Sequence, residues 1–250
     1  FLNQKIMKKL LILFILFVTS SLSSDLNSQE FNYFTIHFIQ VPQENVSEVA
    51  RLETTYWSKV AQSNIDSGKQ SAWGLVARVG GGSDSWTHAF MNVYETAEQM
   101  AAANSNYDSK AILGIDPQDI ATFDYIEGYG LTHWALRAFI PGYADFTVWN
   151  FGKPLNALAF VNEQTNVWQP AFEKNMGGRE YWGAALKINN VTDEYSTVLT
   201  MDGYETLAEA FRAMNGEIPN QPSPRSKVSE IMPDGFSARV IVETLIWLTN

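Results

Sequence analysis

The word MNVYETAEQM, Met91 to Met100, returns as MDGYETLAEAF, Met201 to Phe211, and it is one of a set of ordered landmarks. Pro42 and Pro154 lie 112 residues apart, Trp57 and Trp168 lie 111 apart, Trp73 and Trp182 lie 109 apart, and Tyr94 and Tyr204 lie 110 apart. FTIHFIQVP answers FTVWNFGKP, and AWG answers YWG. Four landmarks in one order at nearly one spacing are an internal duplication, and a duplicated chain builds the same unit twice.

Both copies give the same order of elements. FTIHFIQV (34–41) and FTVWNF (146–151) are short β-rich runs closed by proline. NVSEVARLETTYWSKVAQSNIDSG follows the first and LNALAFVNEQTNVWQPAFEKNMGG the second. Val49, Leu52, Tyr56 and Val60 fall at helical spacing, and each segment ends in glycine. Asn45 with Glu48 resembles a capping box, and Pro170 is expected to kink or end the second helix. Two strands come next in each copy, SAWGLVARV with THAFMNVY and EYWGAALKI with STVLTM, joined by turn-rich GGGSDS and NNVTDE. Thr96 with Gln99, and Thr206 with Glu209, then open a helix, which explains why YET is repeated: the threonine caps a free backbone N–H where strand meets helix. THWALRAFI and ARVIVETLIWL close the copies. The order is β-α-β-β-α-β twice, over residues 31–141 and 144–250.

That order is the ferredoxin-like unit, an antiparallel sheet with both helices on one face. Its other face is also apolar and needs a cover, which a second copy supplies. The fold class is therefore α+β: two tandem ferredoxin-like repeats whose sheets face each other and close. In this the chain resembles the dimeric α/β-barrel superfamily, with its antibiotic-biosynthesis-monooxygenase-like and stress-responsive A/B-barrel members, as a fused single chain. The resemblance rests on element order, duplication and the Trp-Gly strands. It implies a small molecule held between sheet and helices or inside the barrel, and it carries over no active-site residue. It also implies that a monomer completes the barrel, because the duplication supplies what single-copy relatives obtain by dimerising.

The N-terminal segment reads as a targeting signal. Met7 is followed by Lys8 and Lys9, an apolar run from Leu10 to Val18 and then small polar residues, the layout of a secretory signal peptide. The run is too short to span a bilayer. Translation is expected to start at Met7 and cleavage to fall near residues 21–24, giving an exported, periplasmic or extracellular protein with no membrane segment. Removing residues 1–23 takes away Lys5, Lys8 and Lys9 and no acid, so the net charge moves from −10 to −13. An acidic chain offers no patch for nucleic acid. With no cysteine there is no disulfide, thiolate metal site or lipid-modified lipoprotein cysteine.

Strand alternation proposes faces for the polar residues. Matching Phe34, Ile36 and Phe38 with Phe146, Val148 and Asn150 sends these to the helices. Thr35, His37 and Ile39 are then left facing the barrel. The same matching places His88, Phe90 and Asn92 inward, with Ala89, Met91 and Val93 against helices. Trp73 and Trp182 go to the helices, and Gly74, Val76, Arg78 and its counterpart Lys187 go inward.

All three histidines, His37, His88 and His133, fall on strands of the first copy, and the first strand should run between the strands carrying the other two. Imidazole titrates nearest neutrality, so His37 and His88 are candidate proton-transfer groups. Arg78, Phe90, Asn92, His133 and Arg137 are candidate ligand contacts, the arginines for an anionic group. Trp149 and Val198 stand as the second-copy counterparts of His37 and His88, which points to one working pocket and one structural copy.

No HxH or HxxxH spacing exists, so no metal is expected. GGG at Gly80 to Gly82 lacks the GK[ST] of a phosphate loop. The leading expectation is a small-molecule-binding barrel for an aromatic or anionic ligand, with a cofactor-free oxygenase-like or isomerase-like activity. Two alternatives stand beside it: a non-catalytic binding module with a filled barrel, acting through loops 107–129 and 217–235, and a haem-binding barrel.

Overall fold

Eight antiparallel strands follow one another around a closed barrel in the computed structural model. The structure describes residues 32–81, 85–103, 108–191, 194–217 and 225–250; the expected signal segment lies outside them. The strands are β1 (Tyr33–Gln40), β2 (Ala72–Val79), β3 (His88–Tyr94), β4 (Gly128–Ile140), β5 (Phe146–Gly152), β6 (Tyr181–Lys187), β7 (Val198–Tyr204) and β8 (Phe236–Thr249). The first half is ordered β4-β1-β3-β2 and the second β8-β5-β7-β6, the ferredoxin-like order in each. Two long strands close the ring, β4 pairing with β6 and β8 with β2. Closure leaves no strand edge open and explains the length of β4 and β8, each of which serves both halves.

The helices are α1 (Val46–Leu52), α2 (Ser58–Asp66), α3 (Ala97–Ala102), α4 (Ser109–Leu113), α5 (Ala157–Glu163), α6 (Gln169–Phe172), α7 (Leu207–Met214) and α8 (Val228–Ile231). Between α1 and α2 the helix widens into a π turn at Glu53–Trp57, and between α5 and α6 the same widening recurs at Gln164–Trp168. Pro170 therefore does not end its helix: it enters at the first turn of α6, directly after the π segment. The expected box at Asn45 is absent, because Asn45 is already in helical conformation and its side chain caps nothing. The threonine caps are present. Thr96 Oγ1 accepts from Gln99 N at 3.1 Å, and Thr206 with Glu209 forms a complete capping box.

Apolar side chains from both halves meet inside the barrel. Phe34, Ile36, Met91, Trp134, Trp149 and Phe151 pack with Leu199, Met201 and Val242 into one buried cluster drawn from both halves. Rings stack across it, Trp86 on Trp149 at 5.9 Å and Phe34 on Trp134 at 6.2 Å between centroids. The opposite face of the first sheet packs on its helices through Ile39, Val49, Ile65, Trp73, Leu75 and Phe90.

This reverses the faces expected for β1 and β3. Phe34, Ile36, Ala89, Met91 and Val93 point into the barrel, whereas His37, Phe90 and Asn92 point to the helices. For β1 the cause is register; β3 matches β7 at the spacing of 110 set by Tyr94 and Tyr204, and Leu199 and Met201 of β7 lie in the barrel cluster as well. Tyr33 pairs with Tyr94 where Phe146 pairs with Tyr204, so β1 and β5 correspond at a spacing of 113, one more than their prolines suggest. A slip of one residue sends every side chain of a strand to the other face. The counterpart of His37 is thus Asn150, not Trp149. In β2 and β6 the expected faces stand, with Trp73 and Trp182 under helices and Val76 in the barrel cluster.

Candidate functional site

Each half holds a cleft between its sheet and its helices. The first is about 410 Å³ and the second about 390 Å³. They are built from equivalent positions, because the ladders and helices that frame them are equivalent. His37 lies between Phe90 and Leu131, and Asn150 lies between Thr200 and Arg239. Asn92 lies beside Trp73, and Asp202 beside Trp182. Glu53 opens the first π turn and Gln164 the second; Trp57 and Trp168 end them. Gln70 and Arg179 stand three residues before the paired tryptophans.

The first cleft brings together two titratable groups, Glu53 and His37. Glu53 comes from the helix side, on the buried stripe one turn after Val49, and is 6% exposed. Burial pushes its carboxyl up to about 7, and the nearby Thr122 hydroxyl offsets this only in part. His37 comes from the sheet side, its ring 6.0 Å from Phe90 and 6.1 Å from Phe123, and burial lowers its pKa below the ordinary histidine value. Asn92 and Gln70 complete the polar lining; Asn92 Nδ2 donates to Thr35 Oγ1 at 3.3 Å. A loop roofs the cleft with Pro117 to Phe123, and Trp57 Nε1 fastens it by donating to Ile120 O at 3.0 Å. Phe123 is 64% exposed at the mouth.

The second cleft carries fixed charge instead. Arg179 and Asp202 form a buried ion pair, with Arg179 Nη1 also donating to Met176 O at 3.0 Å and its guanidinium 4.5 Å from the centre of the Phe172 ring. Asn150 Nδ2 donates to Asp202 Oδ2 at 2.8 Å, and Asn150 Oδ1 accepts from Arg239 Nε at 2.8 Å. The result is a ladder Arg239–Asn150–Asp202–Arg179. The corresponding first-half positions, Leu131, His37, Asn92 and Gln70, carry no fixed charge.

Of the residues singled out from the sequence, His37, Phe90 and Asn92 meet in the first cleft, though on its helix side and not in the barrel. His88 lines neither cleft. It is 3% exposed, its Nδ1 lies 3.0 Å from Thr87 Oγ1, and burial lowers its pKa. His133 pairs with Thr35 on the neighbouring strand, outside both linings. Arg78 sits on the barrel side with its guanidinium 5.2 Å from the Trp86 ring centre, and Lys187 is paired with Glu194 at 2.5 Å. Arg137 is exposed at the irregularity between Leu136 and Ala138 in β4. Sequence reasoning missed Glu53, although an acid four residues after Val49 interrupts an otherwise apolar stripe, a readable signal. It also missed Arg179, Asp202, Tyr204 and Arg239, whose convergence depends on pairing across β5, β7 and β8.

No family model matches the sequence, and no curated protein matches it. Solved structures do share the fold. A candidate monooxygenase from Lactobacillus acidophilus NCFM superposes with a TM-score of 0.58 at 12% identity, over 88% of this chain and 97% of that one. A candidate monooxygenase from Fusobacterium nucleatum gives 0.57 at 11%, over 89% and 96%. An anthrone oxidase-like protein gives 0.54 at 10%, over 89% and 94%. At these identities the likeness is one of fold, and the fold is the dimeric α/β-barrel carried on a single chain.

Proposed function

We propose that the protein binds a small molecule in its first-half cleft and moves a proton on it, in a cofactor-free oxygenase-like or isomerase-like reaction. The carrying observation is that Glu53 and His37 line one cleft of ligand size, while their second-half equivalents are the non-titrating amides Gln164 and Asn150. A carboxyl held near 7 accepts or donates a proton at neutral pH with little bias either way, which suits a general acid–base group. A neutral imidazole across the cleft serves as the second relay or as an acceptor for a ligand hydroxyl. Trp57, Trp73 and Phe90 provide apolar walls for an aromatic ring. Both described clefts lie on the helix side of their sheets, which favours that side for the ligand.

Anthrone is a fitting probe, since it has an acidic C–H between aromatic rings and one fold neighbour is described as anthrone oxidase-like. Purified protein with anthrone under air is followed by anthraquinone absorbance and dioxygen uptake. Acceleration over buffer is expected, with Glu53→Gln and His37→Asn each lowering it about a hundredfold or more, the usual worth of a positioned acid–base group. Variants as fast as the parent refute the roles. A parent no faster than buffer removes the anthrone-type reaction. The protein is further proposed to be exported and monomeric, checked by N-terminal sequencing of the mature chain and by sedimentation.

A further inference from the structure

The second-half cleft is built for a different ligand from the first. Its charged lining residues are Arg179, Asp202 and Arg239, two cations against one anion, in a chain whose overall charge is −10. Asp202 is already committed: Arg179 pairs with one of its oxygens and Asn150 Nδ2 donates to the other. The charge left over is that of Arg239. This guanidinium is held at the C-terminal end of α7, where Nη1 donates to Met214 O at 3.1 Å and Nη2 to Ala213 O at 3.4 Å, while Nε donates to Asn150. A guanidinium has five N–H groups, so those three bonds fix its plane and leave two donors for an incoming group.

Tyr204 supplies another donor. It is 1% exposed and lines the cleft. Arg239 is near enough for its charge to act on the Tyr204 phenol, and burial keeps that phenol protonated. Trp168, Phe172 and Trp182 give the cleft its aromatic lining. The indole Nε1 of Trp168 is buried without an acceptor, whereas its equivalent in the first half, Trp57 Nε1, bonds to the roofing loop.

We propose that the second-half cleft is a binding site for a small aromatic carboxylate, its carboxylate gripped by Arg239 and Tyr204 and its ring seated on Trp168 and Phe172. A fork of two N–H donors matches a planar carboxylate, and the prepositioned guanidinium loses little freedom on binding. The site stands independently of the proton-transfer reading of the first cleft, since the two share no lining residue.

Benzoate and its neutral isostere benzamide test it, by isothermal titration on the full chain. Benzoate is expected to bind at one site and benzamide about tenfold or more weakly, because only the anion makes charge-assisted bonds. Arg239→Met should weaken benzoate about tenfold or more, and Tyr204→Phe about threefold or more, the lesser effect of one hydroxyl. Glu53→Gln and His37→Asn should leave benzoate binding unchanged. Arg239→Lys, which keeps the charge without the fork, is expected to fall between Met and parent, and it serves if the methionine variant fails to fold. The proposal is overturned if benzoate does not bind, if Arg239 and Tyr204 variants bind it as the parent does, or if the first-cleft variants abolish binding.

Discussion

Replacing Glu53 by glutamine should stabilise the protein, and do so far more at pH 8 than at pH 5. Glu53 is held at about 7 against an ordinary value of 4.5, because burial disfavours its charged form. The folded state therefore keeps the Glu53 proton over a range in which the unfolded chain has lost it. Stability contributed by this group is intact below about 4.5, declines as pH rises towards 7, and stays low above that. Each pH unit between the two values is worth about 1.36 kcal/mol. The full cost above pH 7 comes to about 3 kcal/mol, an upper figure because water entering the cleft softens it. At pH 5 it is below about 1 kcal/mol by the same relation. Glutamine keeps the shape, cannot ionise, and already stands at the equivalent position as Gln164, itself buried. Urea unfolding of parent and Glu53→Gln at both pH values measures the gain. An equal gain at pH 5 and pH 8, or none, would show that the carboxyl is not held protonated by burial, and the acid–base role would lose its physical basis.

Two further outcomes follow from the packing. Arg179→Met should destabilise by about 3–5 kcal/mol, because it strands Asp202 as a buried charge with only Asn150 for a partner; a loss below about 1 kcal/mol in chemical unfolding would mean that water reaches the pair. Gly203→Ala should cost about 1–3 kcal/mol, since a Cβ there would fall on the Tyr181 ring and lie 2.8 Å from Ala144 Cβ. The Tyr181 hydroxyl is tied to Thr147 at 2.7 Å, so the ring cannot swing aside freely, and an unchanged urea midpoint would refute that constraint.

Much of the architecture was legible because it depends on local pattern. The duplication, the β-α-β-β-α-β order, the threonine caps and the helix-facing tryptophans all follow from residues near one another in the chain. So did the need for a second sheet, since both faces of each strand are apolar. That same property hid the faces of β1: with Phe34, Ile36 and Phe38 on one side and Ile39 on the other, alternation gives no preferred direction. The spacing of the prolines, 112, was the available guide, and it counts residues after the strand ends. The hydrogen-bond ladder counts pairs, and by pairs the spacing is 113. His37 therefore lies on the helix side, in the cleft that Glu53 also lines, and not in the barrel.

The sequence by itself determined which elements form and in what order, because helical and strand periods, caps and turns are short-range. Only the tertiary structure decided which residues share a cleft. Glu53 from a helix and His37 from a sheet line one cleft, and Arg239 joins Asn150, Asp202 and Arg179 in a ladder that begins with a contact between residues 89 apart in the chain. Such meetings depend on register, and register is set by long-range pairing, where one residue decides the face of every side chain on the strand.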